Sequence, residues 1–326
     1  MAIHTWTLFD GNSEVVISAR GGVVRDWVIH DKEGDIHVLD GYRNDKENAQ
    51  GSGAYNAVLA PWSNRIKDAR YTFNGCEYDL GAASDGSREA LHGLICDADF
   101  ISVYRSDRNI KITTIVQPCP GYPWTVEVDI IYHLRHHTHS ELSMHISVAN
   151  VCEDIAPVTL GWHPYIRYQG GTAEQATLRL GAKTRIRSDK KLIPLDGPEA
   201  FEPASDVPSS TLFEIKGPRN LDDAFSELVD MGDGRAQAEL IHPNGDVTTL
   251  EMLLPAHGDP KGCGVFHIFT GEPLEKRPCE AIAIEPCLTM TNAFNRDECA
   301  EFIALEPGKS QDLFATISHR ISTTSE

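Results

Sequence analysis

The sequence predicts an all-β fold, a large antiparallel β-sandwich. Three observations carry this. Apolar residues recur with period two, helical periodicity is weak, and long connections rich in Gly, Pro, Asn and Asp separate the apolar runs. Many strands with few helices pack most readily as sheet on sheet.

Taken in order, Glu14 to Ala19 and Val23 to His30 read as strands, with Gly21-Gly22 between them as a turn. In Thr125 to Leu134, Val126, Val128, Ile130, Tyr132 and Leu134 share one face. In Glu141 to Asn150, Leu142, Met144, Ile146 and Val148 do the same. With the polar link Arg135 to Ser140, these two runs predict an antiparallel hairpin with one wet face. Later strands are expected at Thr248 to Leu254, Gly264 to Thr270, Ala281 to Glu285 and Leu313 to Ser318. Asp189 to Pro208 reads as a long connection. No repeat and no linker composition divides the chain, so residues 1–326 are read as one domain.

Composition narrows the function. Hydrophobic residues make up 41% and charged residues 24%, a globular balance that supports a sizeable core. Against 48 acidic residues stand 29 basic ones, a formal net charge of −19 without a basic run. That balance argues against nucleic acid, whose phosphates need clustered cations, and against an anionic membrane surface. The N-terminus lacks the basic and apolar regions of a signal peptide, and no apolar run is long enough to span a bilayer. The 8 cysteines, at 76, 96, 119, 152, 263, 279, 287 and 299, have no CxxC spacing. Buried or half-buried free thiols in a cytoplasmic protein are the expectation.

Two residues stand out as proton-transfer candidates. Glu285 closes the apolar run Ala281 to Ile284 and precedes Pro286. His163 follows Val158 to Trp162 and precedes Pro164. A carboxylate and an imidazole on rigid strand ends suit acid–base chemistry, one accepting a proton while the other donates. A carboxylate approached by apolar sequence is partly buried and needs a partner or a task. An Arg-paired edge Glu and a packed core His would produce the same local patterns. Trp162 and Tyr165 flank His163 and can stack on the apolar face of a ring while desolvating the imidazole.

The remaining motifs are weaker singly. Arg65 in Asn64-Arg65-Ile66 presents a planar fork of donors, as would any surface Arg in an ion pair. His92 precedes Gly93, which allows a tight turn, and a loop imidazole bonded to a carbonyl fits equally. Asp222 and Asp223 can accept hydroxyl hydrogen bonds, or simply cap a helix or turn. His133, His136, His137 and His139 lack a Cys or acidic partner at zinc spacing, and read as a solvated hairpin tip. GxSxG, P-loop and GxGxxG patterns are absent, which removes support for acyl transfer, NTP hydrolysis and dinucleotide binding.

In one order along nearly the whole chain, these segments resemble the aldose 1-epimerase (galactose mutarotase) family. The segments are Gly21-Gly22, Asn64-Arg65-Ile66, Tyr71 to Gly75, Leu91-His92-Gly93 and Gly121 to Trp124. They continue with Val148-Ala149-Asn150, Gly161 to Tyr165, Leu221 to Phe225, Ile284-Glu285-Pro286 and Asn292 to Asn295. The resemblance implies a galactose mutarotase-like supersandwich with an open sugar cleft, no cofactor and no metal. It implies exchange between the α and β anomers of a free monosaccharide by a monomer or homodimer. Carried over by motif, Glu285 is the base for the anomeric hydroxyl and His163 the acid for the ring oxygen. His92 supports the developing charge, and Asn64, Arg65 and Asp222 hold hydroxyls.

The sequence also departs from the better-known galactose enzymes. His267 stands where they have Gln, Thr289 to Ala293 replaces their Pro-Asp-Ala type segment, and Ile166-Arg167 follows His-Pro-Tyr in place of Phe. These positions are expected near substrate, so the pattern looks closer to the aldose-1-epimerase-like branch. Arg167 raises an anionic sugar as an expectation. A non-catalytic sugar-binding or sensing protein on the same scaffold is the alternative. A glycosidase would want two catalytic carboxylates, and a hexose-phosphate enzyme would want a basic pocket.

Overall fold

A computed structural model describes residues 2–82, 86, 88–204, 212–255 and 261–322. Two large sheets form the molecule, one of twelve strands and one of nine, and their named strand pairings are antiparallel. The all-β expectation holds.

The nine-stranded sheet is built on the predicted hairpin. Val126–His136 and Ser140–Asn150 pair along their full length, from Val126 opposite Asn150 to His136 opposite Ser140. Their alternating side chains are buried, and the residues between them are partly exposed, as period two requires. Ser310–Arg320 joins the hairpin on its other side, so the chain's last strand lies mid-sheet. At the hairpin tip His136 Nδ1 lies 2.6 Å from Ser140 Oγ, and His133 Nδ1 lies 2.6 Å from Asn109 Oδ1.

The early strands Ser13–Ser18 and Val24–Asp31 pair as read, in the twelve-stranded sheet. The connection after Asp189 holds more structure than expected. It contains a 3₁₀ turn at Gly197–Ala200 and a short strand at Phe201–Pro203; residues 205–208 of it lie outside the described residues.

The centre of the twelve-stranded sheet decides where the site lies. Cys263–Phe269 and Ala281–Thr289 run side by side there, with Asp222–Leu228 beyond the first. All nine residues of Ala281–Thr289 are buried. Ile282 and Ile284 face the main core between the sheets, while Ala281 and Ala283 belong to a second, smaller cluster with Tyr55, Leu59 and Tyr165. Glu285 follows in the alternation of the small alanines, on the side away from the main core.

One expectation needs correcting here. Glu285 does not end its strand, which runs on through Pro286 to Thr289. A proline inside a central strand normally breaks the ladder because it has no N–H. Here the neighbouring chain breaks at the same level: Tyr165–Arg167 pairs with residues 281–283, Gly161 pairs with Cys287, and Pro164 lies between. The missing donor falls where no regular partner stands.

Candidate active site

A cleft of about 420 Å³ opens on this side of the sheet. Its lining includes Asn64, Arg65, His92, His163, Asp222, His267 and Glu285. Seven of the eight residues singled out from the sequence therefore converge, although they come from six separate stretches of chain.

Each side chain reaches the cleft for a local reason. Gly161–His163 is a three-residue strand in which His163 faces the cleft, and Gly161 lies so close to Cys287 that a Cβ would meet its Sγ at 2.8 Å. His267 lies directly opposite Glu285 in the strand register, so both project to the same side. Asp222 begins the next strand outward and brings Oδ1 to 2.7 Å from His267 Nε2. The sequence alternatives of a helix cap or a turn for Asp222 do not apply. The adjacent Asp223 is turned away to Arg185, accepting two hydrogen bonds at 2.9 and 3.0 Å.

Asn64 and His92 sit in two facing loops. Both have left-handed backbones, with φ of 56° and 62°. Strain of this kind persists only where surrounding structure holds it. The His92 amide donates to the Asn64 carbonyl at 2.9 Å, and Arg65 pairs with Leu91. Gly93 must be glycine: φ is +79°, and a Cβ there would lie 2.0 Å from the Ala60 carbonyl oxygen. The Asn64 side-chain oxygen accepts from the Arg65 guanidinium at 3.2 Å, which fixes the fork at the rim of the cleft.

The electrostatics follow from burial. His163 Nε2 lies 3.3 Å from Glu285 Oε1, with both side chains nearly inaccessible. At that distance an ion pair would be expected, yet the surroundings favour neutral forms. Burial pushes the Glu285 carboxyl up to about 7 and the His163 imidazole down to about 3. Near pH 7 we therefore read the contact as a carboxyl close to its midpoint beside a neutral imidazole. Burial also drives His92 well below its ordinary value, helped by His163 and Arg65.

His267 behaves in the opposite way. Burial alone would lower it, but the Glu285 charge and the Asp222 hydrogen bond outweigh burial and raise it. Asp222 is correspondingly lowered: burial opposes ionisation, and the His267 hydrogen bond and charge overcome it. Four buried polar atoms of the cleft residues find no hydrogen-bond partner among the described residues: Glu285 Oε2, His163 Nδ1, His92 Nδ1 and Arg65 Nε. Buried polar atoms are normally paired, so these four are left to a polar partner from outside the chain.

Two sequence expectations fail. Trp162 does not stack on a ligand: it alternates with His163 and is fully buried in the main core. Period two sends adjacent strand residues to opposite faces. Arg167 does not reach the cleft either. It lies beside a separate depression with Arg25 and Arg43, 3.9 Å from Asp40, and Ile166 is buried in the main core. The sequence reading overlooked Phe269, Leu274 and Cys96, together with the turn at Gly51 to Ala54, which complete the lining. The glycines of that turn were the available signal. Tyr165 does line the cleft, its ring stacked on His163 with centroids 4.8 Å apart. All eight cysteines are free, three of them buried and Cys76 exposed. No helix among the described residues is long and apolar enough to cross a membrane.

The architecture is that of galactose mutarotase-like proteins. The GalM/aldose epimerase homologue from C. elegans superposes with a TM-score of 0.79 at 16% identity, covering 98% of this chain and 99% of that one. Galactose 1-epimerase from Lactobacillus acidophilus NCFM gives 0.74 at 13% identity, over 98% and 94%. At these identities the likeness is one of fold. The chain belongs to the aldose 1-epimerase family, whose model matches residues 4–251. That stretch contains Asn64, Arg65, His92, His163 and Asp222, and ends before His267 and Glu285. Among curated relatives, the uncharacterized protein YihR of Escherichia coli K12 is 26% identical over 263 residues, covering 80% of this chain and 77% of that one. The uncharacterized protein YphB of the same organism is 24% identical over 317 residues, covering 94% and 95%.

Proposed function

We propose that this protein is an aldose mutarotase, exchanging the α and β anomers of a free aldose by opening and closing its ring. The observation that carries the reading is the Glu285–His163 pair, a carboxyl and an imidazole 3.3 Å apart on the floor of a cleft rimmed by hydroxyl-binding side chains.

The proton inventory fits the reaction. One proton leaves the anomeric hydroxyl and one reaches the ring oxygen, so one base and one acid suffice. Glu285 as carboxylate accepts the first, and protonated His163 supplies the second. The open-chain aldehyde is then bound beside a neutral carboxyl and a neutral imidazole. Those are the forms that burial favours for this pair. The site is thus electrostatically matched to the intermediate rather than to the closed ring, which favours ring opening. Rotation about C1–C2 presents the other face of the aldehyde, and ring closure returns both protons with the roles reversed. His92 lies edge-on to His163, ring centroids 5.2 Å apart, where it can support charge near the ring oxygen. Asn64, Arg65 and Asp222 hold the hydroxyls, which orients a flexible intermediate.

The absence of Arg167 from the cleft withdraws the motive for an anionic sugar. Asp222 supplies a second cleft carboxylate, but His267 occupies one of its oxygens, which does not favour a glycosidase pair. The test is NMR exchange spectroscopy on equilibrated glucose, galactose and other aldoses with the purified protein. Exchange above the buffer rate supports the reading. Binding without exchange would instead make the chain a sugar-binding protein on this scaffold.

A further inference from the structure

We propose that His267, hydrogen-bonded to Asp222 and directly opposite Glu285, is a positioning residue whose imidazolium keeps Glu285 available as a carboxylate. The proposal rests on the mutarotase reading for its effect on rate, but not for its effect on titration.

The geometry is that of a three-member line across three neighbouring strands. Asp222 Oδ1 lies 2.7 Å from His267 Nε2, and His267 stands in register with Glu285. Directly opposite residues on antiparallel strands have Cα atoms about 4.5–5.5 Å apart and share a face. Asp222 orders the imidazole and favours its charged form, and the cation then faces Glu285. All three side chains line the cleft, yet His267 and Glu285 are buried, so solvent screens little of the interaction.

The other groups facing Glu285 do not replace this cation. His163, from the strand on the opposite side, is held neutral by burial. His92, from the loop beyond it, is driven to the neutral form as well. Tyr165, from the next short strand, is pushed far up by burial and stays an un-ionised phenol. Cys287, on the same strand, is likewise held as a neutral thiol. Arg65 is a second cation, but it sits on a loop and is tied to Asn64. Asp222 is an anion and would by itself oppose ionisation of Glu285. His267 turns that unfavourable neighbour into support. It also takes up one acceptor site of Asp222 Oδ1, which narrows how a ligand can be held.

Without the cation, the Glu285 midpoint moves up from about 7. Loss of an opposite charge at close range moves a carboxyl by roughly one unit or more, which lowers the ionised fraction at pH 7 about fivefold or more. His267→Gln keeps a hydrogen-bonding side chain for Asp222 and removes only the charge. Asp222→Asn keeps the imidazole and removes its counter-charge.

The experiment labels histidine and glutamate with carbon-13 and follows the carboxyl of Glu285 and the ring of His267 by NMR from pH 4 to 10. It compares parent, His267→Gln and Asp222→Asn, each checked for fold by circular dichroism. In His267→Gln the Glu285 midpoint is expected to rise by about one unit or more, and in Asp222→Asn the His267 midpoint is expected to fall. The acid limb of anomer exchange should move with the Glu285 midpoint, so that His267→Gln recovers rate above pH 8. An unmoved Glu285 midpoint in a folded His267→Gln protein overturns the proposal. If the parent exchanges no aldose, the mutarotase reading fails, and the titrations alone still decide the role of His267.

Discussion

Replacing Glu285 by glutamine tests the chemistry and the burial of the site together. In the folded chain this carboxyl titrates at about 7, against an ordinary value of 4.5. The gap 7 − 4.5, at roughly 1.36 kcal/mol for each pH unit, corresponds to about 3 kcal/mol. The sign follows from counting protons. Below pH 4.5 the folded and unfolded chains both hold the proton, and there is no difference. Between 4.5 and about 7 the unfolded chain releases it while the folded chain keeps it, so stability falls as pH rises. Above that window the whole penalty is present. Glu285→Gln never ionises, so its advantage over the parent should be about 2–3 kcal/mol larger at pH 8 than at pH 5. Urea unfolding of both proteins at the two pH values measures this. Anomer exchange should meanwhile drop by ~10²–10⁴-fold, the usual contribution of one positioned proton acceptor. A stability difference that is the same at both pH values would refute the claim of a desolvated carboxyl. Undiminished exchange would refute Glu285 as the base.

The other predictions are simpler. His163→Asn should lower exchange by a similar ~10²–10⁴-fold while the fold persists, checked by exchange kinetics beside circular dichroism. Trp162→Phe should destabilise the chain by on the order of 1–3 kcal/mol and leave KM for the sugar unchanged, because Trp162 faces the core; a raised KM with unchanged stability would contradict that placement. Arg167→Ala should process neutral and anionic sugars as the parent does, since Arg167 lies outside the cleft; selective loss of an anionic substrate would count against this.

The sequence alone determined a good deal here. Period-two alternation located the long hairpin to within two residues at each end, because one face of that sheet is buried and the other is wet. Ordered motifs picked out the residues that line the cleft, since a proton acceptor within an apolar strand is conspicuous. Tertiary structure decided what local pattern cannot express. Trp162 and His163 are neighbours in sequence, but the pleat sends one to the core and the other to the cleft. Pro286 looked like a strand end, and only the break in the neighbouring chain at Pro164 explains why the strand continues. The protonation states belong wholly to the assembled fold. Burial raises Glu285 against the pull of His267, His267 lowers Asp222 against burial, and those distances exist only once three strands stand side by side.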